Sequence, residues 1–248
     1  MTAGRTCPIL CGCSDRYGEP AGEFVIKLLG QPTVGESRAV FEIVASRLAR
    51  HFGILVPEPA VVEVTPKFGH LLGNSQPRLL PTLSSNIGLN FGTRVVNPMT
   101  TWITGRPIPE SLLADAVNIF AFDALIKNPD RRVEKPNLFT RGDELYVFDH
   151  EMAFSFLFAI GSYLPPWDLR NETYLRGHVF FSRLKSKNLD LGHFKARLEA
   201  LDDAEIVKIN SEIPKEWIGP VIGRIWEHIS MVRMNSERFI EQVERSLA

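Results

Sequence analysis

The chain has 248 residues, with 28 Lys+Arg against 29 Asp+Glu and a formal net charge of −1. Hydrophobic residues make up 44% and charged residues 23%, enough apolar material to offset chain entropy, which excludes a disordered chain. No global positive field exists to draw in phosphates, so a nucleic-acid binder of the basic type is also excluded, while a local basic groove stays open.

The length fits one large domain or two small lobes. Met1 to Arg16 holds no long apolar core, so no secretory signal is expected. The most apolar later stretch, Met152 to Leu164, is too short to cross a bilayer and is broken by Ser155 and Gly161. The expectation is a soluble, cytoplasmic protein with no membrane contact and no direct nucleic-acid binding. Cys7, Cys11 and Cys13 form an odd, tight cluster, which is a poor disulfide framework and lacks a fourth zinc ligand at a suitable spacing. Cys11 and Cys13 read better as small semi-apolar residues alternating along a strand.

Pro8 to Cys13 and Glu23 to Leu29 read as strands separated by turn formers, so a hairpin is expected whose second strand carries Lys27. Glu36 to Phe52 reads as a helix, with Phe41, Ala45, Leu48 and Phe52 on one face and Gly53 as a C-terminal stop. Glu42 lies beside that apolar face. Ala60 to Val64 is a short β-type run. Thr65 to Asn90, dense in Gly, Pro, Ser and Asn, is expected to be a long loop with little regular structure. Phe91 to Val96 reads as a further strand closed by Asn97–Pro98.

Ser111 can cap a helix running to about Lys127, with Leu113, Val117, Phe120 and Ala124 on one face and Asn128–Pro129 as the stop. Leu138–Phe139 and Leu145 to Phe148 flank the turn Arg141–Gly142–Asp143 and read as a hairpin. From Leu169 to Ala248 the pattern is mostly amphipathic helices. Segregated strands and helices predict an α+β fold, with a β-rich part over residues 1–98 and a mostly helical part over residues 99–248.

The segment NPDRRVEKPNLFTRGDELYVFDHE carries the chemistry. Asp130 follows a helix stop, Asn137 precedes a strand, and Asp149 ends the strand that pairs with it. The hairpin brings Asn137 near Asp149, with Asp130 one short loop away. Two carboxylates and a carboxamide at the edge of a rigid element suit a magnesium–nucleotide site, because magnesium takes few oxygen ligands from protein and the rest from phosphates and water. An aspartate beside an acceptor hydroxyl can orient it, and a lysine held by a helix glutamate can contact phosphates, a pair that Lys27 and Glu42 could supply. Plainer roles stand beside these. Lys27 could be an edge-strand lysine, Glu42 a solvated helix residue, Asp130 and Asn137 turn residues, and Asp149 an N-cap. His150 is expected to be structural, tied to a backbone group, and the run Arg183–Lys185–Lys187 to be a solvated face.

The order FVIK, FEIVASRLARHFGILVPEP, NPDRR…PNLF and FDHEMAF resembles a compact HipA-like kinase, within the protein-kinase-like and phosphoinositide-kinase-like group, over about Gly4 to Phe156. The resemblance implies a two-lobed kinase-like fold and an ATP- and Mg2+-dependent phosphotransferase acting on a hydroxyl, most readily a protein Ser or Thr. It assigns Lys27 to the α/β-phosphates, Glu42 to pair with it, Asp130 as the catalytic aspartate, and Asn137 and Asp149 to the metal. It places the adenine-contacting hinge near Phe91 to Asn97. The acceptor would be a protein or a small molecule, and a regulatory protein partner is compatible with it. Two positions depart from the related pattern. Arg132 stands where many relatives have His, and Lys135 where the metal-binding Asn usually stands, so Asn137 fits a loop two residues longer. These departures favour an alternative, a pseudokinase or nucleotide-binding interaction module without transfer. A small-molecule kinase is a third reading, and the absence of GxxxxGK[ST] argues against a P-loop enzyme.

Overall fold

A computed structural model describes residues 8–29, 32–105, 107–159 and 164–248, and the side chains of 32–36 are not considered; Cys7 lies outside the described residues. The fold is α+β. Strands β1 (Ile9–Ser14) and β2 (Pro20–Lys27) form the expected hairpin. With β3 (Pro59–Val64) and β4 (Gly88–Arg94) they build a four-stranded antiparallel sheet in the order β1-β2-β4-β3. β2 is therefore an interior strand, and Lys27 lies opposite Phe91 in register.

Alternation along β2 puts Phe24 and Ile26, followed by Leu28, on one face. That face packs with Val64 and Leu83 in a small core of its own, joined by the half-buried Cys11 and Cys13, which are free thiols. The far wall of this small core corrects the expectation for Thr65 to Asn90. The stretch is largely helical: α2 (Pro66–Ser75), a 3-10 turn at Pro77–Leu79, then α3 (Leu80–Ser84). Thr65 accepts a hydrogen bond from the Phe68 amide at 3.2 Å, and Pro66 opens the helix where its missing N–H costs nothing. Phe68, Leu72 and Leu79 then cover the sheet.

The helix α1 (Pro32–His51) is longer than the periodicity alone predicts, and it belongs to the main core. Phe41, Ala45, Leu48 and Phe52 are fully buried. The chain turns at Gly53, whose φ of 76° suits a residue without Cβ. Phe52 stacks on Phe194 with ring centroids 4.4 Å apart and reaches Phe122 at 5.9 Å, so α1 is joined to the helices that follow.

The helix α4 (Leu113–Leu125) starts after a 3-10 turn at Glu110–Leu112, so Ser111 sits inside that turn and does not cap it. Its end departs from the simple Asn-Pro stop. Lys127 takes a left-handed φ of 48°, with bonds from its amide to Ala124 O at 3.4 Å and from the Asn128 amide to Asp123 O at 2.9 Å. This is a Schellman closure with lysine where glycine is usual. The helix is buried nearly all round, including Asp123.

Two residues at Thr100–Thr101 (β5) pair with the predicted hairpin, β6 (Leu138–Arg141) and β7 (Glu144–Val147). Five helices follow among the described residues: α5 (Phe181–Leu184), α6 (Gly192–Glu199), α7 (Asp203–Ser211), α8 (Pro220–Met234) and α9 (Ser236–Leu247). They close the main core around α1 and α4. Among the described residues no helix is long and apolar enough to cross a membrane.

Candidate active site

Five side chains singled out in the sequence meet in one cleft. Lys27, from the interior strand β2, forms ion pairs with Glu42 of α1 and with Asp149 Oδ1, the latter at 2.5 Å. Glu42 is 3% exposed, so the solvated role does not hold. Its other oxygen accepts a hydrogen bond from the His150 amide at 2.9 Å, which ties α1 to the end of the hairpin. A second tie is the Val147 amide donating to Leu55 O at 3.0 Å. The sheet, α1 and the hairpin are thereby set in one frame around Lys27.

Burial opposes the charge on Lys27, but Glu42 and Asp149 outweigh it and push its pKa up. Burial likewise opposes ionisation of Asp149, but Lys27 and Lys135 hold its pKa down at about 2. Both groups are ionised at neutral pH, and the cleft presents fixed charges.

Asn137 and Asp149 both sit in the left-handed region, at φ 48° and 61°. Asn and Asp adopt it more readily than other residues with a Cβ. The Asn137 amide nitrogen donates to Asp130 Oδ2 at 3.3 Å. The N-cap role for Asp149 is not taken, since the next helical turn begins at Ser155 with Phe154 before it. Lys135 also enters the cleft. Its ammonium lies 2.6 Å from Asp130 Oδ2 and 2.9 Å from Asp149 Oδ2, and the two carboxylates push its pKa up against burial. Arg132 stands at the rim, 3.5 Å from Asp130 Oδ1.

Beneath the loop lies a network that the sequence reading misses. Arg131, fully enclosed, donates Nε to Asp123 Oδ2 at 2.6 Å. Its Nη1 donates to the carbonyls of Asn137 at 2.8 Å and Phe148 at 3.2 Å. One guanidinium thus fixes the backbone at Asn137 and immediately before Asp149. Asn128 completes the frame, donating to Asp123 Oδ1 at 2.9 Å and accepting from the Asp130 amide at 3.2 Å. His178 Nε2 lies 3.0 Å from Asp123 Oδ2. Burial opposes the Asp123 charge, but Arg131 and His178 hold its carboxyl well below the usual range. The available signal was Asp123 itself, a carboxylate inside the apolar run IFAFDALI, which demands a buried cation.

Other expectations need correction. Among the described residues the buried His150 ring makes no hydrogen bond, and it is the residue's backbone amide that is tied down. Phe91 to Arg94 lie inside β4, paired on both sides, and the amides of Arg94 and Val95 donate to Glu58 O and Glu23 O. Arg183 is only half-exposed and donates to Gly105 O at 2.6 Å, while Lys185 and Lys187 are exposed as expected.

Among the described residues no three His, Cys, Asp or Glu side chains gather as a metal-ligating group. An all-protein cage is therefore not formed. Asp149 and Asn137 do carry the oxygen donors that magnesium takes when phosphates and water complete its shell, so the residues fit a nucleotide-borne cation.

The model of the HipA-like kinase family matches residues 1–245 of the chain. The protein therefore belongs to the HipA-like kinase family, and its class is that of a kinase-type phosphotransferase. Neither a curated protein nor a solved structure matches it.

Proposed function

We propose that the chain transfers the γ-phosphoryl group of ATP, with magnesium, to a hydroxyl acceptor. The observation that supports this best is the meeting of Lys27, from the first sheet, with Asp130, Asn137 and Asp149, from the loop and hairpin more than a hundred residues later. In this reading residues 1–98 form a nucleotide-covering lobe and residues 99–248 a lobe that carries the catalytic loop. Lys27, kept charged and aimed by Glu42, binds the α/β-phosphates. Asp130 orients the acceptor hydroxyl and accepts its proton. Asn137 and Asp149 would hold magnesium, which when bound neutralises charge on the transferred group. Positioning and electrostatics then supply most of the rate enhancement. A protein Ser or Thr is the acceptor suggested by family resemblance.

Labelled ATP with magnesium, incubated with the chain and with lysate protein, tests the reading. Transfer is expected from the wild type and is lost in Asp130→Ala and Asp149→Ala. Transfer that survives Asp149→Ala removes the metal role.

The second reading, a nucleotide-binding module without transfer, is favoured by one observation. Lys135 engages both Asp130 and Asp149, the two groups that transfer would use. ATP binding with no transfer to the chain itself or to lysate protein selects it.

A further inference from the structure

The cleft is charge-balanced by its own side chains. Lys27, Arg132 and Lys135 face Glu42, Asp130 and Asp149, three cations against three carboxylates. Lys135 occupies the critical place, with its ammonium between Asp130 Oδ2 at 2.6 Å and Asp149 Oδ2 at 2.9 Å. The other Asp149 oxygen is held by Lys27. Both oxygens of the strongest metal-type donor are therefore already paired with ammonium groups.

The loop that carries Lys135 is tightly closed. The Arg132 amide donates to Lys135 O at 3.0 Å and the Lys135 amide donates to Arg132 O at 3.2 Å. The stem is fixed at its base, while the side chain is 40% exposed and its four-carbon arm can swing. A divalent cation entering while the ammonium remains would set like charges side by side in a partly desolvated cleft.

We propose that Lys135 is a resident cation of the cleft, seated between Asp130 and Asp149, and that it competes with a divalent metal for Asp149. Metal enters as the ammonium leaves, and the polyanionic phosphates of a nucleotide draw the ammonium off. The identity of the displacing ligand rests on the phosphotransferase reading; the competition does not.

The test uses Mn2+ alone, titrated into the nucleotide-free full chain, with free Mn2+ read by electron paramagnetic resonance. Wild type and Lys135→Arg, which keep the cation, bind weakly. Lys135→Asn and Lys135→Gln each bind at least tenfold more tightly. Adding Asp149→Asn to Lys135→Asn abolishes the gain. Equal Mn2+ affinity in the wild type and both neutral variants overturns the proposal, as does a gain that survives Asp149→Asn. If the Mn2+ pattern holds and ATP binds none of these proteins, the phosphotransferase reading falls and the competition stands.

Discussion

Two charge networks lie back to back in this protein, and they are built from the same groups for opposite ends. Asp123, Arg131 and His178 are sealed, with the Arg131 and Asp123 side chains both at 0% exposure. Lys27, Asp149, Lys135 and Asp130 are reached by solvent, with Lys135 at 40% and Asp149 at 16%. In the sealed network each nitrogen of the Arg131 guanidinium donates to carboxylate or carbonyl oxygen within the protein, which suits it to hold shape. The open network pairs carboxylates with flexible ammonium groups, which a polyanion can redirect. Arg131 connects the two, because the carbonyls it grips belong to Asn137 and to the residue before Asp149.

The sharpest way to break this contrast is to remove the sealed cation. Arg131→Ala leaves Asp123 buried with its main partner gone and is expected to cost about 3–5 kcal/mol in urea unfolding. That cost should change little with added salt, because the pair is shielded from counterions. A loss below about 1 kcal/mol would place Arg131 outside the frame.

A second test uses pH. Burial is the main cause that lowers the pKa of His228 from 6.5 to about 4, against the Leu125 carbonyl that its Nε2 meets at 2.8 Å. His150 falls to about 3, again chiefly through burial, with Arg131 adding to it. Below pH 6.5 the unfolded chain takes up protons that the folded chain refuses. Stability is therefore fully present above that pH and falls as pH drops toward 4, by up to ~1.4 kcal/mol per pH unit for each histidine. Urea titrations from pH 7 to pH 5 should show this slope, and His228→Gln should flatten it by about one histidine's share. An unchanged slope in that variant contradicts the burial argument. On the acid side the open network enters only at lower pH. Asp149, with its pKa held at about 2, contributes stability above the ordinary carboxylate range that is lost as pH falls through about 2.

The smallest expected effect is a control outside both networks. Asp202 caps α7 by accepting from the Glu205 amide at 2.8 Å. Asp202→Ala should cost about 1 kcal/mol, with no change in nucleotide or metal binding. Thermal unfolding beside ATP titration checks both halves of that statement.

Much of the framework was legible because local signals agreed with one another. The hairpin carrying Lys27, the buried stripe of α1 and the second hairpin follow from period and turn residues. The convergence of Asn137 and Asp149 follows from hairpin closure. The helices at Thr65 to Ser84 were hidden by composition. Their Gly and Pro content reads as loop, while the decisive contacts of Phe68, Leu72 and Leu83 with β2 are long-range. The Thr65–Pro66 start was the local clue. The role of Arg131 was hidden for another reason. Arg131 and Arg132 are chemically identical neighbours in DRR, and only the fold sends one into the core and the other to the rim. Lys135 is a third case, since sequence places it in the loop and cannot say that its ammonium turns back onto two carboxylates.

The central claim is that the open network is a nucleotide site aimed by the sealed one. Calorimetric titration of ATP with magnesium into the wild type, Lys27→Met and Asp149→Asn tests it most directly, with circular dichroism confirming that each protein is folded. The account predicts binding by the wild type and at least tenfold weaker binding by both folded variants. Equal affinity in all three, or no binding by the folded wild type, contradicts it.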